Sequence, residues 1–487
     1  MRTALLSLVG FLFASPMSYA ADGSFDPTWA GGGRVTFPGN PSSPTAPSGS
    51  ERLIVQPGGN LLLGGYANVA DSSYGMWWVG QLFASGATVL TFGESNGSGV
   101  VTGPYFSDNL RVLSGIYFTG MALQSDGRIV ATNSNQIARM TSDGHALDTA
   151  GVAGGTGYAT VAGIQIDDVK GTFGALNGLA QQPSGKWLLA GSGKLAQVST
   201  IPDFAVIRLN TDFSLDTTFN AVTDGSTGVT FAGGQIVSFN AGSGDLAFSV
   251  LPRPDGSFIL VGVASSASST VVALAGLDAN GALDPSFGGS GTGKTTLTWN
   301  AGVISPALEP GSAKLDRAGR IVLASGGHLT GQAAEGMVVI RLMPDGTPDT
   351  AFGVPSGTDG VSFHAFAFCE NGSHAISLAF DSAGRIVAAG QCLHTDFSTE
   401  FLLERLHGDD GSLDTTFGIS GISHGSYAPG ATANGADDIA FDASGHPVFA
   451  GTTTVSDVSN VAVGRVTYDL IFTDNFSNSP SGRLPGQ

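Results

Sequence analysis

Short apolar runs separated by glycine-containing turns recur along the chain. Each copy has four to seven apolar or alternating positions, then a turn such as P-D-G, S-D-G or A-G, and then a second β-rich run. Glycine accepts the positive φ that a tight turn demands, and a preceding Asp or Ser can hydrogen-bond the turn backbone. The pattern predicts seven β-hairpins, whose turn glycines are Gly59, Gly127, Gly185, Gly256, Gly319, Gly384 and Gly445.

A second motif, S-L-D-T-T-F and its variants, follows the third apolar run of each copy. Its clearest forms end at Phe219, Phe287, Phe352 and Phe417, with weaker forms at Trp29, Phe92 and Gly151. A further β-type run follows, so each period holds four candidate strands. In the sixth copy we expect strands near 374–380, 385–392 and 400–406 and after Gly418. Four antiparallel strands per period make one propeller blade, whereas a β-solenoid has shorter coils and few tight hairpins.

The two ends of the chain complement each other. The region after residue 20 holds only the last strand of a repeat, R-V-T-F, whereas the C-terminal copy supplies A-D-D-I-A-F, H-P-V-F-A-G and V-A-V-G-R-V-T-Y. Their pairing would complete the last blade and remove the open edges of an unclosed array. We therefore predict an all-β, seven-bladed β-propeller with four antiparallel strands per blade, closed by the N-terminal strand.

Composition divides the chain into three parts. Arg2, the apolar stretch from Ala4 to Ala14 and the small residues before position 21 are typical of a signal peptide over residues 1–20. We expect residues 21–472 to form a single propeller domain and the polar residues 473–487 to form a flexible tail. The signal peptide predicts export to the periplasm or the extracellular space, and because no later stretch is long enough to span a membrane, we expect no membrane insertion. We also expect a monomer.

The repeats resemble a known family. Hairpins such as P-D-G-S-F-I-L-V-G around Gly256, each followed by L-D-x-x-F-G, are similar to the bacterial delta-60 repeat. The resemblance covers essentially the whole chain after residue 20, although the block Leu147-Asp148-Thr149-Ala150-Gly151 lacks the aromatic residue. It implies a β-propeller of unassigned function and adds no catalytic, cofactor-binding or metal-binding residue.

Charge and one motif bear on possible partners. The formal net charge of -19, with scattered Lys and Arg, argues against nucleic acid, whose phosphates such a surface repels. Residues 288–295, G-G-S-G-T-G-K-T, match the phosphate-loop pattern, but a β-type run, T-L-T-W over 296–299, follows where that loop needs a helix. We therefore predict no nucleic-acid partner and no nucleotide cofactor.

The two cysteines of the chain, Cys369 and Cys392, predict a disulfide if the chain is exported. The hairpin register places Cys392 opposite a residue near His374, beside the loop that holds Cys369. Cys369 with His364, His374 and His394 could also be a zinc site. Their spacing fits no closed zinc motif, and an oxidising compartment favours the disulfide, so we predict no metal.

One position of the repeat is an aspartate in four copies, Asp216, Asp284, Asp349 and Asp414. Such a recurrence could indicate calcium binding or catalysis, but a turn requirement produces the same recurrence, and we favour the structural role. The aromatic residue three positions later is expected to pack between neighbouring blades, as at Trp29, Phe219 and Phe417.

The function expected from these observations is binding. The sequence has no H-E-x-x-H motif and no Cys-His pairing apart from the disulfide region. We expect a non-catalytic scaffold that recognises a protein or glycan through loops around residues 40–50, 67–76, 155–172 and 220–242. The alternative is a hydrolase or lyase acting on a sugar or lactone at the central channel, since propeller active sites assemble from several blades.

Overall fold

The computed structural model describes most of the chain after the N-terminal segment. The described residues are 22–38, 47–68, 75–89, 91–92, 100–102, 118–133, 136–160, 172–194, 202–223, 230–239, 244–265, 270–299, 302–305, 312–331, 334–353 and 360–468. Within these ranges the chain forms strands and turns and no helix, so nothing there could cross a membrane as a helix. The expected signal peptide, 1–20, and tail, 473–487, lie outside the described residues.

The first half of the chain forms the strands of three blades. After β1 (Arg34–Phe37), blade 1 consists of β2 (Ser48–Val55), β3 (Leu61–Asn68), β4 (Gly75–Leu82) and β5 (Val100–Thr102). Blade 2 consists of β6 (Phe118–Leu123), β7 (Ile129–Asn133), β8 (Gln136–Met140) and β9 (Tyr158–Thr160). Blade 3 consists of β10 (Thr172–Gln181), β11 (Trp187–Lys194), β12 (Asp203–Leu209) and β15 (Gly234–Val237), with the hairpin β13 (Ala221–Thr223) and β14 (Thr230–Ala232) inserted.

The second half adds four blades. Blade 4 consists of β16 (Asp245–Pro252), β17 (Phe258–Ser265), β18 (Thr270–Leu277) and β19 (Lys294–Thr296). Blade 5 consists of β20 (Gly302–Ser305), β21 (Ala313–Leu315), β22 (Ile321–Leu329), β23 (Gly336–Leu342) and β24 (Val361–His364). Blade 6 consists of β25 (Ser373–Phe380), β26 (Ile386–Leu393), β27 (Thr399–Leu406) and β28 (Ile422–Gly425). Blade 7 consists of β29 (Ala433–Asn434), β30 (Asp438–Phe441), β31 (Pro447–Val455), β32 (Val458–Arg465) and β1.

These sheets confirm the predicted seven-bladed β-propeller. Each blade is an antiparallel sheet in the strand order expected from the repeats, and the strands of blade 6 agree with their predicted bounds to within one residue for the first three. The first strand of each blade contacts that of the next, and β30 contacts β2, so the ring is complete. Apolar side chains from adjacent blades form the core between them.

The N-terminal strand closes the ring as predicted. Strand β1 pairs antiparallel with β32, with Val35 opposite Val463, and Gly23 N donates to Thr467 O at 2.8 Å. Blade 7 therefore combines both ends of the described chain. This pairing covers the edge of β32, which would otherwise be open to another chain.

A β-bulge shapes the inner strand of most blades. The register shifts between Ser50 and Arg52 in blade 1 and between Ala247 and Ser249 in blade 4, with the same shift in blades 2, 3 and 6. A bulge re-aims side chains and brings the strand close to its neighbour. Glycine is needed opposite it: a Cβ at Gly65 would overlap the carbonyl oxygen of Gly49. This explains the glycine that ends so many of the second apolar runs.

Adjacent blades are joined by a contact that we call the inter-blade lock. In blade 3, Arg208 Nε lies 2.7 Å from Asp216 Oδ2, and its Cζ lies 4.5 Å from the ring centroid of Phe219. Arg208 Nη1 also donates to Ala279 O of blade 4, and Phe219 packs on Gly281 of the same turn. The arginine, aspartate and aromatic residues recur as Arg341 with Asp349 and Phe352, Arg405 with Asp414 and Phe417, and Arg465 with Asp26 and Trp29. The predicted packing of the aromatic residues between blades is confirmed.

Candidate functional site

A cavity of about 240 Å³ lies at the centre of the ring. Its walls are residues of β2, β6, β10, β16, β21 and β30, which are the inner strands of six of the seven blades. The bulges place Thr119, Asn177 and Phe248 at this wall. Because the lining comes from positions far apart in the chain, no contiguous motif marks it.

Arg52 brings a positive charge to the cavity from blade 1. Its Nη2 donates to Thr119 O of blade 2 at 3.4 Å, and its Nη1 donates to Glu51 O. These two bonds engage two of the five N–H donors of a guanidinium group. Carbonyl oxygens are neutral acceptors, so the hydrogen bonds orient Arg52 without neutralising it.

Lys314 brings a second positive charge from blade 5, across the channel. Its Nζ donates to Ile439 O of blade 7 at 3.3 Å and lies 3.8 Å from Asp438 Oδ1, with 35% of the side chain exposed. Burial in the channel lowers the pKa of Lys314, and the positive charge of Arg52 lowers it further against the attraction of Asp438. The two cations are thus close enough to repel each other.

The carboxylate of Asp438 is occupied in joining three blades. It accepts from Leu53 N of blade 1 at 2.9 Å, from Ser377 Oγ of blade 6 at 2.8 Å and from its neighbour Ile439 N at 2.9 Å. These donors hold Asp438 in place as part of the ring closure. With Arg52, Lys314 and Asp438 as its ionisable groups, the described lining has a net charge of one positive unit.

Cys369 and Cys392 form a disulfide in the structure, with their Cα atoms 5.1 Å apart. Cys392 lies opposite Ser373 in the hairpin of β25 and β26, one residue from the position expected from the turn. Both cysteines are buried at the interface of blades 5 and 6. The disulfide therefore ties the loop before β25 to the second strand of its blade.

The histidines of this region do not converge. His364 Nδ1 lies 3.1 Å from Glu404 Oε2, His374 Nε2 lies 2.9 Å from Gln391 Nε2, and His394 Nδ1 lies 3.0 Å from Glu370 Oε2. No group of three or more His, Cys, Asp or Glu side chains in the described ranges could hold a metal ion. The arrangement offers no zinc site among them.

Three of the four recurring aspartates, Asp216, Asp349 and Asp414, pair with the arginine of the inter-blade lock. Burial alone would raise the pKa of Asp216, but hydrogen bonds from Lys186, Thr218 and Arg208 hold it well below its usual range. The fourth, Asp284, lies in the blade where Gly276 replaces the arginine, and it bonds Ser286. These contacts assign the aspartates to turns and blade packing.

Two sequence matches to catalytic or nucleotide-binding motifs lie at the outer strands β19 and β28. The phosphate-loop match leads into β19, which ends at Thr296 rather than continuing to Trp299 as the sequence predicted. Residues 421–425, G-I-S-H-G, fit the nucleophile-elbow pattern G-x-S-x-G, which sequence reasoning overlooked. That elbow needs a strand-to-helix turn, whereas Ser423 and His424 are successive residues of β28 and face opposite sides.

The loops expected to form the recognition face fall largely outside the described residues, which omit 39–46, 69–74, 161–171, 224–229 and 240–243. Of the four expected loops, 220–242 contains β13, β14 and β15, so the expectation of a simple loop there is wrong. The inserted hairpin arises because residues 221–223 and 230–232 pair with each other. The recognition role of these segments stays a prediction.

The family comparison identifies β-propeller repeats. A family model described as a domain of unknown function, DUF5122 beta-propeller, matches residues 182–219, 253–287 and 319–352. Each match runs from the hairpin turn to the aromatic residue of the following block, in blades 3, 4 and 5. No curated protein sequence matches the chain.

Solved structures with a similar arrangement include three enzymes. A polysaccharide lyase is 9% identical, with 86% of this chain and 90% of that chain covered and a TM-score of 0.45. A glucose dehydrogenase is 11% identical, with coverage of 72% and 96% and a TM-score of 0.39. A gluconolactonase from Xanthomonas campestris is 9% identical, with coverage of 72% and 86% and a TM-score of 0.33. At these scores the similarities carry no argument about function.

Proposed function

We propose that the chain is an exported, ligand-binding β-propeller of the delta-60 repeat type, which holds a small polar ligand in its central channel. The observation that carries the proposal is the cavity of about 240 Å³ lined by six inner strands. Pockets for drug-sized ligands are larger, about 300–1,000 Å³, so this volume suits a single sugar unit or a short acid. The surrounding loops would then add contacts to a longer glycan or a protein.

Binding is favoured over catalysis by the state of the one lining carboxylate in the described residues. A hydrolase or lyase needs a side chain that is free to transfer a proton to or from the substrate. Asp438 instead accepts three hydrogen bonds from the protein. The remaining ionisable groups, Arg52 and Lys314, can bind and orient a ligand.

Export is supported by the N-terminal pattern and by the disulfide. A disulfide persists in oxidising compartments such as the periplasm or the cell exterior. N-terminal sequencing of protein secreted or released from the periplasm should begin at Ala21, and alkylation of the unfolded but unreduced protein should leave Cys369 and Cys392 unmodified. A chain that retains its first 20 residues, or two free thiols in the folded protein, would contradict export or the disulfide respectively.

The channel as binding site is tested by filling it. Asn177 lies on a bulge at the cavity wall, so Asn177→Trp should occupy the space that a ligand needs. Ser184→Trp, at the exposed turn of the same blade, is the matched control. Galactose, galacturonate, gluconate and gluconolactone are screened by thermal shift, and product analysis reports turnover. We expect at least one of these compounds to raise the melting temperature without being converted, and we expect Asn177→Trp but not Ser184→Trp to abolish this binding. Conversion of a compound would favour an enzymatic function, and a screen in which none of them binds would contradict the proposal.

A further inference from the structure

Two cations line one cavity in a protein whose net charge is strongly negative. Arg52 and Lys314 reach the cavity from blades 1 and 5, which are separated by two blades on one side and three on the other. Among the described residues, Arg52 donates to carbonyl oxygens, and Lys314 donates to a carbonyl oxygen and lies 3.8 Å from an Asp438 oxygen that already accepts two hydrogen bonds. The formal charge of the chain is -19, so this concentration of positive charge runs against its composition.

Placing like charges together in a confined space is unfavourable unless something compensates them. Asp438 offsets one positive charge, but its two oxygens already accept hydrogen bonds from Leu53, Ser377 and Ile439. One positive unit therefore remains at the cavity wall. A ligand with one negative charge would neutralise it and could accept hydrogen bonds from those N–H groups of both cations that have no partner within the described residues.

We propose that the channel is an anion site that selects a small monocarboxylate, such as the carboxyl group of an acidic sugar, with Arg52 and Lys314 as its binding residues. This inference rests on the proposed function. The planar guanidinium of Arg52 matches the two oxygens of a carboxylate, and the ammonium of Lys314 faces them from the other side of the channel. A phosphate dianion carries more charge than the lining can balance, so a carboxylate is the better match.

Galactose and galacturonate are the matched probes, because galacturonate has a carboxylate where galactose has a hydroxymethyl group. Calorimetry on the mature protein should give galacturonate an affinity at least about tenfold higher, as charge-assisted hydrogen bonds require. That advantage should shrink moderately as salt is added, because Lys314 is 35% exposed and its charge is therefore partly screened. Phosphate and acetate are included, and phosphate binding tighter than both carboxylates would overturn the assignment.

Substitutions at Arg52 and Lys314 test whether these two residues cause the preference for galacturonate. Arg52→Met and Lys314→Met should each weaken galacturonate by about tenfold and leave galactose unchanged. Lys294→Met, which removes a positive charge from the outer strand β19, is the control and should change neither. Lys314→Arg keeps the positive charge and should therefore keep the preference for galacturonate over galactose. This variant tests the role of the charge even if Lys314→Met folds poorly.

The outcomes separate the inference from the proposed function. If galactose binds as tightly as galacturonate, or if Lys314→Met leaves the preference intact, the anion site is overturned while channel binding stands. If none of the neutral or charged probes binds the wild-type protein, both are overturned.

Discussion

Phe213 lies over the guanidinium group of Arg139, with Arg139 Cζ 5.3 Å from the ring centroid, although the two residues belong to neighbouring blades. In the regular lock the arginine instead meets an aromatic ring from its own blade, as Arg208 meets Phe219. Blade 2 has no such ring, because its block ends in Gly151. Phe213 supplies the missing side chain from blade 3.

The position of Phe213 is normally a glycine. It lies three residues before Asp216, as Gly281 lies three residues before Asp284, and its φ is +66°. An L-residue in this conformation costs about 1–2 kcal/mol. The ring is nevertheless buried against Trp187, at a centroid distance of 6.1 Å. Blades 2 and 3 have therefore exchanged the aromatic residue and the glycine of the lock.

The exchange predicts that two damaging substitutions rescue each other. Phe213→Gly should lower the free energy of unfolding by about 2–4 kcal/mol, since a buried ring is lost and some backbone strain is relieved. Gly151→Phe alone should also destabilise, because its side chain would meet Arg139. The double variant restores the regular lock and should be more stable than either single variant in urea unfolding. Additive losses would show that the two positions are independent.

The recurring aspartates should differ in importance. Asp349 lies 2.7 Å from the buried Arg341, whereas in the described part of the chain Asp284 forms no such ion pair and accepts from Ser286. Asp349→Ala leaves a buried guanidinium without its charge partner, which costs about 3–5 kcal/mol. Asp284→Ala loses only a turn bond and should cost about 1 kcal/mol. Equal losses of melting temperature in the two variants would contradict the assigned roles.

A buried ion pair between blades 5 and 6 should make stability depend on pH. Burial would lower the pKa of His364, but the charge of Glu404 raises it above the ordinary 6.5. A raised pKa in the folded state means that the stabilisation is full below about pH 6.5 and is lost as pH rises through the higher folded value. The melting temperature should therefore fall over this range.

Glu404→Ile tests that pair. Equivalent positions hold Ile207 in blade 3 and Ile340 in blade 5, so isoleucine fits the repeat. The variant should lose the part of the pH dependence due to His364 and be at least as stable as wild type at pH 8, because a buried pair seldom outperforms apolar packing. His394→Gln, at an exposed pair, is the control and should keep the pH profile. An unchanged profile in Glu404→Ile would show that another group titrates.

The blades could be predicted because each repeat contains its own glycine turn and its own alternating apolar positions. The closure of the ring could be predicted because the N-terminal segment supplies the strand that the last repeat lacks. The channel site could not, since Arg52 and Lys314 lie two or more blades apart and reach one cavity only through the geometry of the ring. Other features left a signal that was missed. Alignment of L-L-E-R-L with V-V-I-R-L shows that Glu404 occupies a position that is apolar in the other copy. The missing aromatic residue at Gly151 indicated that another aromatic side chain, such as Phe213, would pack on Arg139.

The most direct test of channel binding is a crystal structure of the mature protein soaked with galacturonate. We expect density for the sugar in the central cavity, with its carboxylate between Arg52 and Lys314. Galacturonate bound elsewhere, or no sugar density in the central cavity at a saturating concentration, would contradict the account.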